Sequence, residues 1–260
     1  MIKTEKIPDG KLWAEEIAAY HSRGMKTNFY GSAEDFLPEL EQISKMEFEG
    51  GCYIFHEKEK QTDLYFFLEK EQKPVSLPDM EKPVVLEQVA AAKNPPALEE
   101  WEAVGFEKYL QRKRLFLSAK KTEEEQREVS FAKVEEAEMI LTMMEDAFEP
   151  YTSALPAMDT LKADISEHRV IAVREDENLL GFLRFGREKK VSVLWQIVVA
   201  PAGRGKGIGT ALVKDWISLE RADAAKFQLW VREDNPPALK MYEALGFLPD
   251  GRIAPVMLKK

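Results

Sequence analysis

NPPALKMYEALGF occupies residues 235–247, and NPPALEEWEAVGF occupies residues 94–106. The two stretches lie 141 positions apart, 235 against 94, and share nine of their thirteen letters; the eighth is Tyr242 in one and Trp101 in the other. The echo extends outward. KFQLWVRED precedes Asn235 and PVVLEQVAAAK precedes Asn94, both with the composition of strands. After each Gly-Phe a charged stretch leads into a last apolar run, RKRLFLSA in the first copy and RIAPVMLKK in the second. Upstream, HRVIAVREDENLLGFLRFG reads as two strands joined by a polar turn, with GCYIFHEKEKQTDLYFFLEK as its counterpart. Self-similarity on this scale means two copies of one fold. AKKTEEEQRE, residues 119–128, has no apolar periodicity and reads as a linker. The expected division is 1–120, a linker over 121–128, and 129–260, each half of ordinary domain size.

The copies differ in length. From Phe185 to Phe227 the second copy spends about 42 residues, whereas from Phe67 to Leu86 the first spends about 19. On this alignment the first copy lacks a whole strand, a glycine loop and a helix. The extra segment is VLWQIVVAPAGRGKGIGTALVKDWISLE. Its opening apolar run, VSVLWQIVVA, suits a strand buried on both faces, and Pro201 ends it. Gly203, Gly205, Gly207 and Gly209 follow, then a helix with Ile208, Ala211, Leu212, Trp216 and Leu219 on one face. Strand, glycine loop and helix N-terminus together make an anion site, because unpaired backbone N–H groups and the positive end of the helix dipole converge there. A Walker loop needs Ser or Thr after Gly-Lys, and Lys206 is followed by Gly207. A dinucleotide fingerprint counted from Gly205 meets Thr210 where its last glycine belongs.

The spacing Arg204-x-x-Gly207-x-Gly209, preceded by V-x-P at Val199 to Pro201, resembles the pyrophosphate loop of the GCN5-related N-acetyltransferases, the GNAT family. The N-x-x-A-x-x-x-Y-x-x-x-G-F pattern from Asn235 resembles that family's second motif at the right distance. The resemblance implies an α/β (α+β) fold. Each of two GNAT-like domains would hold a mixed, mostly antiparallel sheet flanked by helices, with a splayed central strand pair in the C-terminal one. It implies acetyl-CoA as co-substrate, held by Arg204, Gly205, Lys206, Gly207, Ile208, Gly209 and Thr210, by the backbone of Val198 and Val199, and by Asn235. It also implies direct attack of a primary amine, with Tyr242 as general acid for the departing thiolate. A tyrosine on an apolar helix face is more often simply core. Many relatives carry a carboxylate base in the strand before V-x-P. Here Leu194-Trp195-Gln196-Ile197 offers none, since Gln196 cannot be a base. Glu145, Asp146, Glu149 and solvent stay open for that role. The acceptor is a small-molecule amine or a peptide N-terminus, and a non-catalytic acyl-CoA sensor is the alternative. The first copy, with Trp101 for the tyrosine, is expected to be a degenerate domain that keeps Asn94, Ala97 and Gly105-Phe106 for its helix.

Composition narrows the setting. No apolar run approaches the ~20 residues of a membrane span, and MIKTEKIPDGK has no signal-peptide core. Cys52 is a lone cysteine, and His21, His56 and His168 have no metal-ligand spacing with it, so a reduced, metal-free, cytoplasmic protein is expected. A formal charge of −9 disfavours nucleic acid and suits a cationic acceptor. A monomer or homodimer away from membranes is the expected state.

Overall fold

The computed structural model describes residues 4–7, 9–122 and 127–260. The chain forms two compact units, Met1–Gln111 with Ile253–Lys260, and Arg112–Arg252. The elements up to the middle of the chain are β1 (Glu5–Lys6), α1 (Gly10–Ser22), β2 (Lys26–Thr27), β3 (Ile43–Phe48), β4 (Gly51–Glu57), β5 (Thr62–Leu68), β6 (Val84–Glu87), β7 (Ala90–Ala91), α2 (Leu98–Glu102) and β8 (Glu107–Ser118). After them come α3 (Ala137–Ala147), α4 (Met158–Ser166), β9 (Val170–Glu175), β10 (Asn178–Glu188), β11 (Val191–Val199), α5 (Ile208–Glu220), β12 (Lys226–Arg232), α6 (Pro236–Ala244) and β13 (Leu248–Lys259).

In the first unit the strand order is β1, β3, β4, β5, β6 and the Ile253–Lys259 part of β13. Asp9 starts α1 by accepting from the N–H groups of Lys11 and Leu12, at 2.9 and 2.8 Å. Alternation along the strands then sends side chains to two cores. Cys52, Ile54 and Phe67 meet Trp13 and Ile17 of α1, while Tyr53, Phe66, Leu86 and Met257 meet Trp101 of α2.

β5 and β6 are parallel and pair only at Thr62↔Val84 and Asp63↔Val85. Beyond that point the strands part, and buried Asn28 fills the gap. Its Nδ2 donates to Leu64 O and to Glu87 O, both at 2.9 Å, and its Oδ1 accepts from Phe66 N at 2.9 Å. β2, just before it, pairs with Leu68 and Phe67. Asn28→Ala would orphan three backbone groups, two of them buried and one part-buried. Denaturant unfolding is expected to show a loss of about 1–3 kcal/mol, the cost of unsatisfied buried polar atoms, and an unchanged midpoint would refute this closure.

The parallel pair corrects the alignment of the two copies. β11 and β12 are also parallel, from Val191↔Lys226 to Leu194↔Leu229, so Thr62–Leu68 corresponds to β11 and not to β10. The first copy has the strand; it lacks the glycine loop and the helix. The short helix differs too. α2 begins at Leu98 with no side-chain cap, and Asn94 instead donates its N–H to Ala91 O. Gly105, at φ +93°, keeps the expected left-handed turn after it, and Phe106 donates its N–H to Trp101 O at 3.1 Å and packs on the Trp101 ring.

The second unit orders its strands as β8 from Arg112, β12, β11, β10, β9. Ile208, Leu212, Val213 and Trp216 of α5 pack on Leu183, Phe185, Leu194, Phe227 and Leu229. Trp216 Nε1 donates to Ser192 Oγ at 2.9 Å. Leu219, expected on that face, is instead exposed, and Val213 takes the buried position. On the opposite face Ile140 and Met144 of α3 and Leu161 and Ile165 of α4 pack against Ala172, Phe182 and Val198.

The units exchange their last strands. Arg112–Ser118 of β8 pairs antiparallel with β12, whereas Val256–Lys259 of β13 pairs antiparallel with β6. The boundary therefore falls inside β8 and again inside β13, not in the charged run. Of that run, Ala119–Lys121 form a short 3-10 turn, and 123–126 lie outside the described residues.

Candidate functional site

The open end of the β11/β12 pair is built by three local features. Pairing with β12 stops at Leu194↔Leu229, although β11 continues to Val199 and β12 to Arg232. On its other side β11 carries a bulge. Arg184 faces Gln196 and Phe185 faces Leu194, so Trp195 is the extra residue. Among the described residues no strand pairs with Trp195–Val199 on the β12 side, which leaves that backbone edge available to a ligand.

The glycine loop sits at this mouth. Gly205 (φ +74°) and Gly207 (φ +77°) adopt left-handed backbone, and a Cβ at either would point into open space. Gly203 is buried instead: a Cβ there would come within 2.9 Å of Leu180 O. The first intrahelical bond of α5 runs from Ala211 N to Gly207 O at 3.0 Å. The amides of Ile208, Gly209 and Thr210 therefore have no intrahelical acceptor, and Gly207 has no side chain to cap them. Arg204 and Lys206 are exposed beside them. Lys206 leans outward to Glu175, with Nζ to Oε2 at 3.1 Å. Ile208 is buried in the core under the loop.

α6 closes the other side. Asn235 caps it, its Oδ1 accepting from Ala238 N at 3.2 Å, Pro236 opens it, and Gly246 (φ +86°) ends it. A Cβ on Gly209 would stand 3.1 Å from Met241 Sδ, so the two helices approach through a glycine. The next residue, Tyr242, is 3% exposed and packs edge-on against Phe247. Burial pushes its phenol well above the usual tyrosine range. Among the described residues its hydroxyl has no hydrogen-bond partner. Val199 touches the loop, 3.2 Å from the position of a Gly203 Cβ, while Val198 turns its side chain into the α3/α4 core.

Sequence reasoning missed a buried polar network beside the bulge. Asp164 of α4 accepts from Arg184 Nε at 2.7 Å and from Arg169 Nη2 at 2.7 Å. Arg184 Nη1 donates to Gln196 Oε1 at 2.9 Å, and Gln196 Nε2 donates to Ala154 O at 3.2 Å. The Arg184 guanidinium also lies over the Trp195 ring, 4.4 Å from its centroid. Asp and Arg twenty residues apart on different elements carry no local signal; only the buried faces of α4 and β10 bring them together. Of the carboxylates left open as bases, Glu149 is taken up by its own turn. It accepts from the N–H groups of Tyr151 and Thr152, both at 2.9 Å, and from the Thr152 hydroxyl. Glu145 and Asp146 lie exposed on α3. Among the described residues no three metal-donor side chains are grouped, and no helix is long and apolar enough to cross a membrane.

The Acetyltransferase (GNAT) family profile matches residues 137–247. The spermidine N(1)-acetyltransferase of Vibrio cholerae is 29% identical over 94 residues, covering 35% of this chain and 54% of that protein. A GCN5-related N-acetyltransferase from Sphaerobacter thermophilus aligns over 99% of this chain and 95% of its own, with a TM-score of 0.64 at 14% identity. A tandem GNAT protein from the clavulanic acid biosynthesis pathway aligns over 99% and 98%, with a TM-score of 0.58 at 11% identity. At such identities the structural matches speak for the fold. The chain spans between 25% and 54% of the length of the first curated relatives it matches. The glycine loop, the parted parallel strands and the Asn-capped helix all fall inside residues 137–247, the segment that matches the GNAT acetyltransferase family.

Proposed function

We propose that this chain is an N-acetyltransferase with one acetyl-CoA site, in the second unit, and a primary amine as acceptor. The observation that carries the reading is a contrast. In the second unit the parted strands are open with a glycine loop at their mouth, whereas in the first Asn28 closes the corresponding gap and the loop is missing. Acetyl-CoA supplies the acetyl group as an activated thioester. The residues present fit it: the N–H groups of Gly205 to Thr210 and the helix dipole suit a pyrophosphate, with Arg204 and Lys206 adding charge. Val198 and Val199 pair with β10 on one side, and the edge they present on the β12 side suits amides that pair as an added strand. Asn235 borders the same opening from the start of α6. Tyr242 holds a proton at Oη, available to a sulfur that departs as thiolate.

Calorimetric titration of the full chain with acetyl-CoA is expected to give one site. Two equivalent sites would overturn the closed first unit, and no binding would overturn the proposal. An acceptor panel with spermidine, glucosamine and an alanine tripeptide, read by free thiol release, then identifies the amine. The likeness to the Vibrio cholerae spermidine N(1)-acetyltransferase puts polyamines first in that panel. The absence of a strand carboxylate at Gln196 favours the second reading, an acyl-CoA sensor, for which thiol release would stay at background with every amine.

A further inference from the structure

Gln196 lies in the stretch Leu194–Ile197, where the family resemblance implies a carboxylate that this sequence lacks, and its surroundings give it another task. Arg184 can only donate and a backbone carbonyl can only accept, so the carboxamide has one orientation: Oε1 toward Arg184 and Nε2 toward Ala154 O. Arg184 is fixed in turn. Its fork is spent on Asp164 through Nε and Nη2 and on Gln196 through Nη1, and its face lies on Trp195. Asp164, Arg184 and Gln196 are all buried, at 2%, 7% and 7% exposed, so these three side chains have little freedom to rearrange.

What this network holds is the loop between α3 and α4, residues 148–157. The loop is already a tight turn, closed by Glu149 on the N–H groups of Tyr151 and Thr152. Two of its carbonyls reach opposite sides of the open strand pair. Ala154 O meets Gln196, on β11 beyond the last residue paired with β12. Thr152 O meets Arg112 Nη1 at 3.4 Å, and Arg112 stands in register with Arg232 at the far end of β12. The loop thus bridges the gap.

We propose that Gln196, locked by Arg184 and Asp164, is a positioning residue that pins loop 148–157 across the open end of the β11/β12 pair and so shapes the acceptor side of the site. The inference rests on the second unit being an amine acetyltransferase, and its test has a readout independent of that activity. Hydrogen–deuterium exchange on the full chain without ligand reads the amides of Tyr151 to Leu155 and of Ala157, Pro156 having none. Gln196→Met keeps the volume and removes donor and acceptor together, and exchange there is expected to speed up about tenfold or more while the sheet stays protected. Arg184→Lys, which loses the planar fork, should move the same amides in the same direction. Unchanged protection in Gln196→Met overturns the proposal.

Kinetics with whichever panel amine releases thiol fastest should show acceptor KM raised about tenfold in Gln196→Met, with acetyl-CoA Kd within about twofold of wild type. An equal loss of acetyl-CoA affinity would mark a general structural defect and overturn the positioning role. Gln196→Glu keeps an oxygen toward Arg184 and sets a carboxylate against Ala154 O, so it should follow Gln196→Met. If it instead raises kcat and adds an acidic limb to the pH profile, position 196 is a proton-accepting position and the pin is wrong. Should wild type fail to bind acetyl-CoA at all, the acetyltransferase reading falls, while the exchange data still decide whether Gln196 holds the loop.

Discussion

Gly207→Glu is expected to abolish acetyl-CoA binding in a chain that remains folded. Two effects act, and they separate. Gly207 sits at φ +77°, so any side chain there carries backbone strain of about 1–3 kcal/mol, although nothing lies within 4 Å of the new Cβ. Gly207→Ala introduces that strain alone. The glutamate adds a negative charge at the N-terminus of α5, where the amides of Ile208 to Thr210 have no intrahelical acceptor. Losing two charge-assisted contacts at about 1.5–3 kcal/mol each lowers affinity by roughly 10² to 10⁴-fold. Calorimetry on Gly207→Glu and Gly207→Ala, each checked by thermal unfolding, reads both terms. Full affinity in a folded Gly207→Glu chain would leave the loop as a mere turn.

Tyr242→Phe carries the second large effect. It keeps the ring, the contact with Phe247 and the packing of α6, and removes a hydroxyl that has no hydrogen-bond partner among the described residues. Burial holds that phenol protonated well beyond the ordinary tyrosine range, so it remains a donor at every pH where the enzyme would be assayed, and no limb of the pH profile belongs to it. Loss of the proton donor should lower kcat and kcat/KM together, on the order of 10²-fold, since general acid catalysis contributes at least that. Acetyl-CoA affinity should barely change. Trp101→Phe is the matching control: Trp101 packs on Tyr53, Phe66 and Phe106 in the first unit, so turnover should hold within a few-fold while stability falls. Full kcat in Tyr242→Phe would make Tyr242 a core residue and water the proton source.

The sequence made legible whatever is written within one turn or one helix. Asn235, Pro236 and Gly246 mark their helix by capping chemistry, and four glycines after Val199 mark the loop, because each acts on neighbours a few residues away. Pairing partners are another matter. Thr62–Leu68 reads equally well as either strand of a hairpin, and only its parallel register with Val84–Glu87 reveals which strand of the repeat it is. RKRLFLSA and RIAPVMLKK are both short apolar runs beside charged residues, so composition could place each in a sheet without saying which one. The bulge at Trp195 depends on the register of β10, and the task of Gln196 depends on a carbonyl 42 residues away. Asn28, an unremarkable polar residue by sequence, takes its meaning from three strand groups that no local pattern mentions.

The exchanged last strands set an order of events for a chain being made from its N-terminus. β6 is among the first strands to emerge, yet the partner for its edge, Val256–Lys259, is synthesised after the whole of Arg112–Arg252. β12, by contrast, finds Arg112–Ser118 already waiting when it appears. The second unit can finish its sheet first. The first must keep an unpaired edge exposed until Val256–Lys259 arrive, the condition under which nascent sheets recruit wrong partners. The unit without the glycine loop is thus the last to be completed.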